Sequence, residues 1–213
     1  INSTHFLDYL KSKKILNNPS SIRNISEKFY SSKFLKYMPE TIFTKNINEI
    51  NSFLNTNKKI VIKPIHGYAG KNILFVTKKL NKKKLKKYLN KFDHVMVQKY
   101  LSKVREGDKR VFIINGKVKG AIKRLPKKNS ILSNISQGGV AYKTKLNSRE
   151  LKISKIVAKS LKNNNIFFAG IDLVGGYLIG DINVTSPTGL PQYKNLTGKN
   201  LAIDFWNDLE KLK

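Results

Sequence analysis

The sequence predicts an α+β chain, and three observations lead there. Two pairs of strand-like runs each flank a two-residue turn, Asn115-Gly116 and Gly175-Gly176, which are strong short-range hairpin signals. One long helical segment, Ser148–Asn163, spaces Leu151, Ile153, Ile156, Val157 and Leu161 at helical intervals. Strands join through hairpins while helices stand apart, rather than alternating with strands as in parallel α/β units.

The elements are taken in chain order. The first 40 residues read as short helices with breaks. Pro19-Ser20-Ser21 has the form of a helix start, Ser26-Glu27-Lys28 begins another, and Pro39 closes the segment. Thr41–Thr44 is a short strand, and Lys59–Pro64 is an apolar run ended by proline, as a strand end allows. Asn72–Thr77 comes after a glycine-containing loop. Lys78–Lys91 is the one low-complexity stretch; it reads as a solvated helix whose narrow apolar stripe is Leu80, Leu85, Leu89 and, just beyond, Phe92. His94–Tyr100 alternates as a strand. Lys109–Ile114 with Lys117–Lys123, and Phe167–Val174 with Tyr177–Val184, form the two hairpins, and Leu201–Leu212 is a terminal helix. No internal repeat interrupts this order.

Composition narrows the class. The chain has 213 residues, 40% of them hydrophobic, enough for a buried core and too many for a disordered chain. No run of 18 apolar residues is present, so no membrane helix is predicted, and Ile1–Lys14 lacks the apolar core of a signal peptide. Cysteine is absent, which excludes disulfides, thiolate metal sites and a cysteine nucleophile, and makes cytoplasm the simplest compartment. The formal charge of +29 would suit a polyanion partner. Its lysines, however, are spread along the chain beside Asn and Ser, not interleaved with arginine and aromatics. The charge therefore reads as compositional drift with only non-specific nucleic-acid binding at low salt.

The second hairpin carries the sharpest chemistry. An ideal two-residue loop at Gly175-Gly176 predicts the pairs Val174–Tyr177, Asp172–Ile179, Gly170–Asp181 and Phe168–Asn183. Asp172, Asp181 and Asn183 then project from one face. Two carboxylates and an amide oxygen suit Mg²⁺ rather than Zn²⁺, although an edge hairpin facing solvent would carry the same residues. Upstream, VIKPIHGYAGKN puts Lys63 at a strand end with Gly67 and Gly70 in the next loop. There, backbone N–H groups and a lysine charge meet phosphate oxygens, though an ordinary turn fits the pattern too. Arg110 and Arg124 sit on the first hairpin, where they read as carboxylate or phosphate binders or as plain surface charges. Ideal pairing sets Arg110 opposite Ala121 and Arg124 on the other face, so a shared site predicts a bulge or twisted strand end near Arg124. The polar stretch from Lys127 to Gly138-Gly139 reads as a lid or a long surface loop. His5, His66 and His94 do not cluster.

ISEKFYSSKF, VIKPIHGYAG, GDKRVFIINGK and DINVTSPTG, in this order, resemble the prokaryotic glutathione synthetase family, and the resemblance covers nearly the whole chain. It implies the ATP-grasp fold, two subdomains with mainly antiparallel sheets clasping ATP. Residues 1–38 would be a helical segment joining to a further N-terminal domain, 39–99 the small lobe, and 100–213 the large lobe with the metal and substrate sites. By resemblance, Lys28 and Lys63 contact the phosphates and the loop from Gly67 to Asn72 covers them. Gln98, Lys99, Tyr100 and Leu101 meet adenine, and Asp108 lies near the nucleotide. Arg110 and Arg124 bind the substrate carboxylate and the transferring phosphoryl group. Asp172, Asp181 and Asn183 hold Mg²⁺, with Mn²⁺ as a second candidate. Asn134, Gly138, Gly139, Ser186 and Thr188 line the substrate end. The family usually has Glu where Asp181 stands and often Arg where Leu132 stands.

The implied reaction phosphorylates γ-glutamylcysteine with ATP and joins it to glycine, giving glutathione. The implied partners are these small molecules and further copies of the chain, with no membrane. Two alternatives stand beside it. One is an ATP-grasp ligase that adds an amino acid to a protein or peptide, of the ribosomal-protein glutamate ligase kind. The other is a non-enzymatic nucleic-acid-binding module.

Overall fold

A computed structural model of the protein describes residues 2–10, 15–67, 70–77, 81–126 and 138–212. Two antiparallel sheets dominate it. The first has the order β1-β4-β2-β3, from Thr41–Thr44 (β1), Ile60–Pro64 (β2), Leu74–Val76 (β3) and Val95–Lys99 (β4). The second has the order β7-β6-β5-β8-β9, from Asp108–Ile114 (β5), Lys117–Leu125 (β6), Val140–Lys143 (β7), Phe168–Val174 (β8) and Tyr177–Asn183 (β9).

Two short helices, α1 (Asn2–Leu7) and α2 (Pro19–Asn24), precede the sheets. Alternation sorts the first sheet into two faces. Ile60, Ile62, Val95 and Val97 are fully buried against Ile50 and Leu54 of α3 (Ile47–Asn57) and Leu85 and Leu89 of α4 (Lys82–Phe92). Asparagine side chains open both helices: Asn46 accepts from the Asn48 N–H, and Asn81 from the Lys84 N–H. On α4, Leu85 and Leu89 are one turn apart and buried, so the lysines around them are left to water; each buried leucine contributes about 1.5–3 kcal/mol. The other face of the sheet, with Val61, Lys63 and Gln98, looks into a cavity between the sheets.

In the second sheet, Val111, Ile113, Ala169, Ile171 and Leu173 pack against Ile153, Val157 and Leu161 of α5 (Ser148–Asn163). A capping box of Asn147 and Glu150 starts this helix where the sequence places it. Tyr30, Phe34 and Met38, in and beside the 3-10 segment Phe29–Tyr37, join the same core. The opposite face divides along its strands. At one end Phe112, Ile114 and Ile122 meet Tyr193 of α6 (Leu190–Thr197) and Leu201 and Phe205 of α7 (Leu201–Glu210). At the other end the same strands carry Asp108, Arg110, Arg124 and Asp172, all buried.

Both hairpins depart from ideal register. In the first, Ile113 pairs with Val118 but Phe112 with Gly120, so Lys119 is an extra residue. Arg110 therefore faces Ile122, not Ala121, and Arg124 faces Asp108. A bulge is present, near the turn and five residues before Arg124. In the second hairpin, Gly170 pairs with Asn183 and Ile171 with Ile182, while Leu173 pairs with Leu178. Asp172 thus stands opposite three residues of β9, and the predicted pairs Asp172–Ile179, Gly170–Asp181 and Phe168–Asn183 do not form. Gly180, at φ 90°, takes up the extra length. The helices α3 and α6 and the edge strand β7 are not predicted. α6 spans only eight residues and β7 has no buried face to impose alternation, whereas α3 sets Ile47, Ile50 and Leu54 on one face behind the Asn46 cap, a helical pattern that the sequence does carry.

Candidate active site

A cavity of about 390 Å³ lies between the sheets. Its charged wall is built by four strands and one segment outside the sheets. β8 and β9 supply Asp172, Asp181 and Asn183; β5 supplies Asp108 and Arg110; β2 and the segment before the 3-10 helix supply Lys63 and Lys28. Val61, Ile73, Leu101, Val104 and Val174 line the rest, and the Phe75 ring lies 4.6 Å from that of Tyr100 beside them.

The second hairpin brings Asp172, Asp181 and Asn183 to one wall despite its altered register, because the shift is by two residues. A two-residue slip keeps every side chain on its face, whereas a one-residue slip exchanges faces. The bulge at Lys119 is a one-residue slip, and it turns Arg124 to the side of Asp108 and Asp172.

The ion pairs are close. Arg110 donates from Nε and Nη2 to the two Asp172 oxygens at 2.5 and 3.0 Å. Arg124 donates to both Asp108 oxygens at 2.7 and 2.8 Å, and its Nη2 lies 2.9 Å from Asp172 Oδ2. Burial disfavours charge on Asp172, but the two guanidinium groups outweigh it and hold the carboxyl at about 2. Asp108 goes the other way: burial and the neighbouring Asp172 lift it to about 6 against the pull of Arg124. Arg110 Nη1 is buried without a hydrogen-bond partner among the described residues. Gly170 leaves it room, since a Cβ there would stand 3.2 Å from Nη1 and 2.9 Å from the Arg110 and Pro187 side chains.

Across the wall, Lys28 Nζ lies 3.3 Å from Asp181 Oδ1 and donates to the Gly67 carbonyl at 2.7 Å. Lys63 Nζ lies 3.7 Å from Asp181 Oδ2 and donates to the Ile179 carbonyl at 3.0 Å. Burial lowers the Lys63 pKa, with Asp181 opposing. The two lysines overcome burial at Asp181 and keep its carboxyl below the usual range. Asn183 Oδ1 accepts from the backbone N–H groups of Ser186 and Thr185 at 3.0 and 3.2 Å.

The cavity lining also includes the predicted Gly67, Gly70, Gln98, Lys99, Tyr100, Ser186 and Thr188. Arg124, 1% exposed, does not line it and stands behind Asp108 and Asp172. Gly138 and Gly139 are outside the lining, and Asn134, Leu132 and the polar stretch from Lys127 to Gln137 lie outside the described residues, as does Leu80. Sequence reasoning missed Glu27, which lines the cavity; burial, then Asp181, raise its carboxyl to about 7. Its position directly before Lys28 is the only signal that pointed there. Of the apolar lining residues it named Leu101 and missed the others, which look like ordinary core residues in a sequence.

The donor set fits a hard divalent cation. Asp172, Asp181 and Asn183 offer only oxygen, beside cations suited to a polyphosphate.

Residues 27–198 match the prokaryotic glutathione synthetase ATP-grasp domain family. The glutathione synthetase of Bradyrhizobium diazoefficiens is 35% identical over 99% of this chain and 68% of its own length. That of Nostoc sp. is 37% identical over 98% and 66%. The chain thus spans about two thirds of the length of these relatives. Among solved structures, D-cycloserine synthetase DcsG superposes with a TM-score of 0.75 at 16% identity, covering 100% of this chain and 79% of that one. D-alanine–D-alanine ligase from Bacillus anthracis gives 0.68 at 18%, covering 95% and 72%. The ligase PsnB, solved with Mg and ADP and a precursor variant, gives 0.69 at 15%, covering 95% and 63%.

Two antiparallel sheets closing on a cavity lined by lysines, Arg110 and acids, in a chain that matches an ATP-grasp domain family, define an ATP-grasp ligase. Within that class, the chain belongs to the prokaryotic glutathione synthetase family.

Proposed function

We propose that this protein joins γ-glutamylcysteine to glycine at the expense of ATP, through an acyl phosphate. The observation that carries the reading is the meeting in one cavity of Lys28 and Lys63 with Arg110, Asp172, Asp181 and Asn183, in a chain about one third identical to glutathione synthetases along nearly its whole length. The residues 39–99 would act as the small lobe and 100–213 as the large lobe.

ATP would lie with its base among Val61, Ile73, Leu101, Val104 and Val174 and its phosphates against Lys28, Lys63, Gly67 and Gly70. Asp172, Asp181 and Asn183 would hold Mg²⁺, which supplies charge neutralisation on the phosphates. A carboxylate oxygen of γ-glutamylcysteine attacks the γ-phosphorus, and ADP leaves. The glycine amine then attacks the carbonyl carbon, and phosphate leaves with the bonding pair. Arg110, with its free Nη1, would orient the carboxylate and the transferring phosphoryl group. Arg124 would act from behind, fixing Asp108 and Asp172. Ser186 and Thr188 would face the substrates.

The test is phosphate release from MgATP by the full-length protein with γ-glutamylcysteine, with and without glycine. The reading expects glycine-dependent release matched by tripeptide, and loss of about 10²-fold or more in kcat for Arg110→Ala. Release that needs neither substrate, or tripeptide formation without ATP, would overturn it.

A further inference from the structure

Each metal-donor oxygen in the cavity already has a partner, but the partners differ in kind. Asp172 is gripped by two arginines at 2.5–3.0 Å. Asn183 Oδ1 is held by two backbone N–H groups. Asp181 is held only by the two lysine ammonium groups, at 3.3 and 3.7 Å, distances longer than a tight charged hydrogen bond. Lys28 and Lys63 in turn lean on neutral carbonyls, Gly67 and Ile179, and Lys63 reaches Gln98 Oε1 at 3.4 Å. Among the described residues, Asp181 is the one carboxylate that either lysine pairs with.

Charge decides which ligand can enter first. Lys28, Lys63, Arg110 and Arg124 face Asp108, Asp172 and Asp181, with Glu27 beside Lys28, so the acids are already matched by cations before any ligand enters. A lone dication would join four cations and would have to displace two of them from Asp181. A polyphosphate carries the charge that both lysines prefer. Once it draws them off, Asp181 is released toward the same space.

We propose that Lys28 and Lys63 gate the metal site: they occupy Asp181 in the nucleotide-free protein, so the divalent cation binds only with or after the nucleotide. This rests on the reading of the cavity as a metal–ATP site. It makes the lysines serve two ligands in opposite senses, attracting the phosphates and repelling the lone metal. Removing a lysine therefore weakens nucleotide binding and creates metal binding where there was none, the reverse of what a plain phosphate ligand would do.

Mn²⁺ binding to the full-length protein, followed by electron paramagnetic resonance of the free ion with the Mn²⁺ taken up by ADP in protein-free solution subtracted, reads this. Wild type is expected to bind Mn²⁺ with ADP present and not without it. Lys63→Met and Lys28→Met are expected to tighten Mn²⁺ binding in the ADP-free protein by about tenfold or more, since a unit charge within several ångströms of a dication is removed. Asp181→Asn should abolish that gain. Thermal melting verifies that each variant is folded, and the wild-type comparison with and without ADP stands without them. Equal Mn²⁺ affinity of wild type with and without ADP would overturn the gate and leave the metal site intact. So would folded lysine variants with no gain. No Mn²⁺ binding by wild type even with ADP would remove the site itself, and the gate with it.

Discussion

Asp172 is the residue on which the charged wall turns. Its two oxygens serve two buried arginines, so Asp172→Asn would leave the buried Arg110 guanidinium without its counter-charge. Such a loss destabilises by about 3–5 kcal/mol, and urea unfolding at neutral pH should show it. The acids of the cavity also predict a pH dependence. Glu27 is raised from 4.5 to about 7, so it favours the fold most below 4.5, and that contribution is lost as pH rises through 7. Glu27→Gln should therefore match wild type near pH 4.5 and exceed it near pH 8. The gain at pH 8 should be about 1 kcal/mol after allowing for its partial exposure, about 2–4 °C in Tm. A variant with no advantage at pH 8 would show that Glu27 ionises freely. Lys63, Asp172 and Asp181 were legible because strand ends, glycine loops and period-two spacing mark them. Glu27 was not, since one acid before a lysine has no pattern, and its environment comes from segments distant in sequence.

At the level of elements, the two bulges explain which inferences held. On β8 and β9 an ideal register was assumed and was wrong by two residues, yet the acids still shared a face because two is a whole period. On β5 and β6 a single extra residue, Lys119, changes the face, and a bulge was expected only because Arg110 and Arg124 were suspected of serving one site. Alternation cannot locate such a residue, because either neighbour could be the one unpaired. Deletion of Lys119 is predicted to restore the ideal register, swing Arg124 toward the α5 side, and cost about 3–5 kcal/mol through the stranded carboxylates. Lys119→Met keeps the extra residue, loses only its ion pairs with Asp204 and Asp208, and should cost about 1 kcal/mol. Equal losses in urea unfolding would mean that the bulge does not set the arginine. Of the unpredicted helices, only α6 reflects the same limit: eight residues with Pro191 near the start make too short a pattern, and tertiary contacts supply the rest. α3 was legible though unpredicted, since Ile47, Ile50 and Leu54 recur at helical intervals after the Asn46 cap and Glu49.

For the whole molecule, the sequence conveyed the α+β class and the order of the hairpins, but the closing of one sheet on the other depends on long-range contacts such as Lys28 to Asp181 and Lys63 to Ile179. The net charge of +29 matters here whether or not it arose by drift. A basic molecule attracts a polyanion over distances that salt screens. The association rate of ATP, measured by stopped flow, should fall several-fold between about 50 and about 500 mM salt while the dissociation rate changes little. A flat association rate would show that the field of the molecule plays no part in capture.

The proposed reaction depends above all on ATP activating the carboxylate of γ-glutamylcysteine as an acyl phosphate. Heavy oxygen placed in that carboxylate reports on this step. One labelled oxygen should appear in each phosphate released, in step with tripeptide, because the carboxylate oxygen that attacks phosphorus leaves with it. Phosphate free of label, with tripeptide still formed, would mean that ATP is cleaved by water and the bond is made another way.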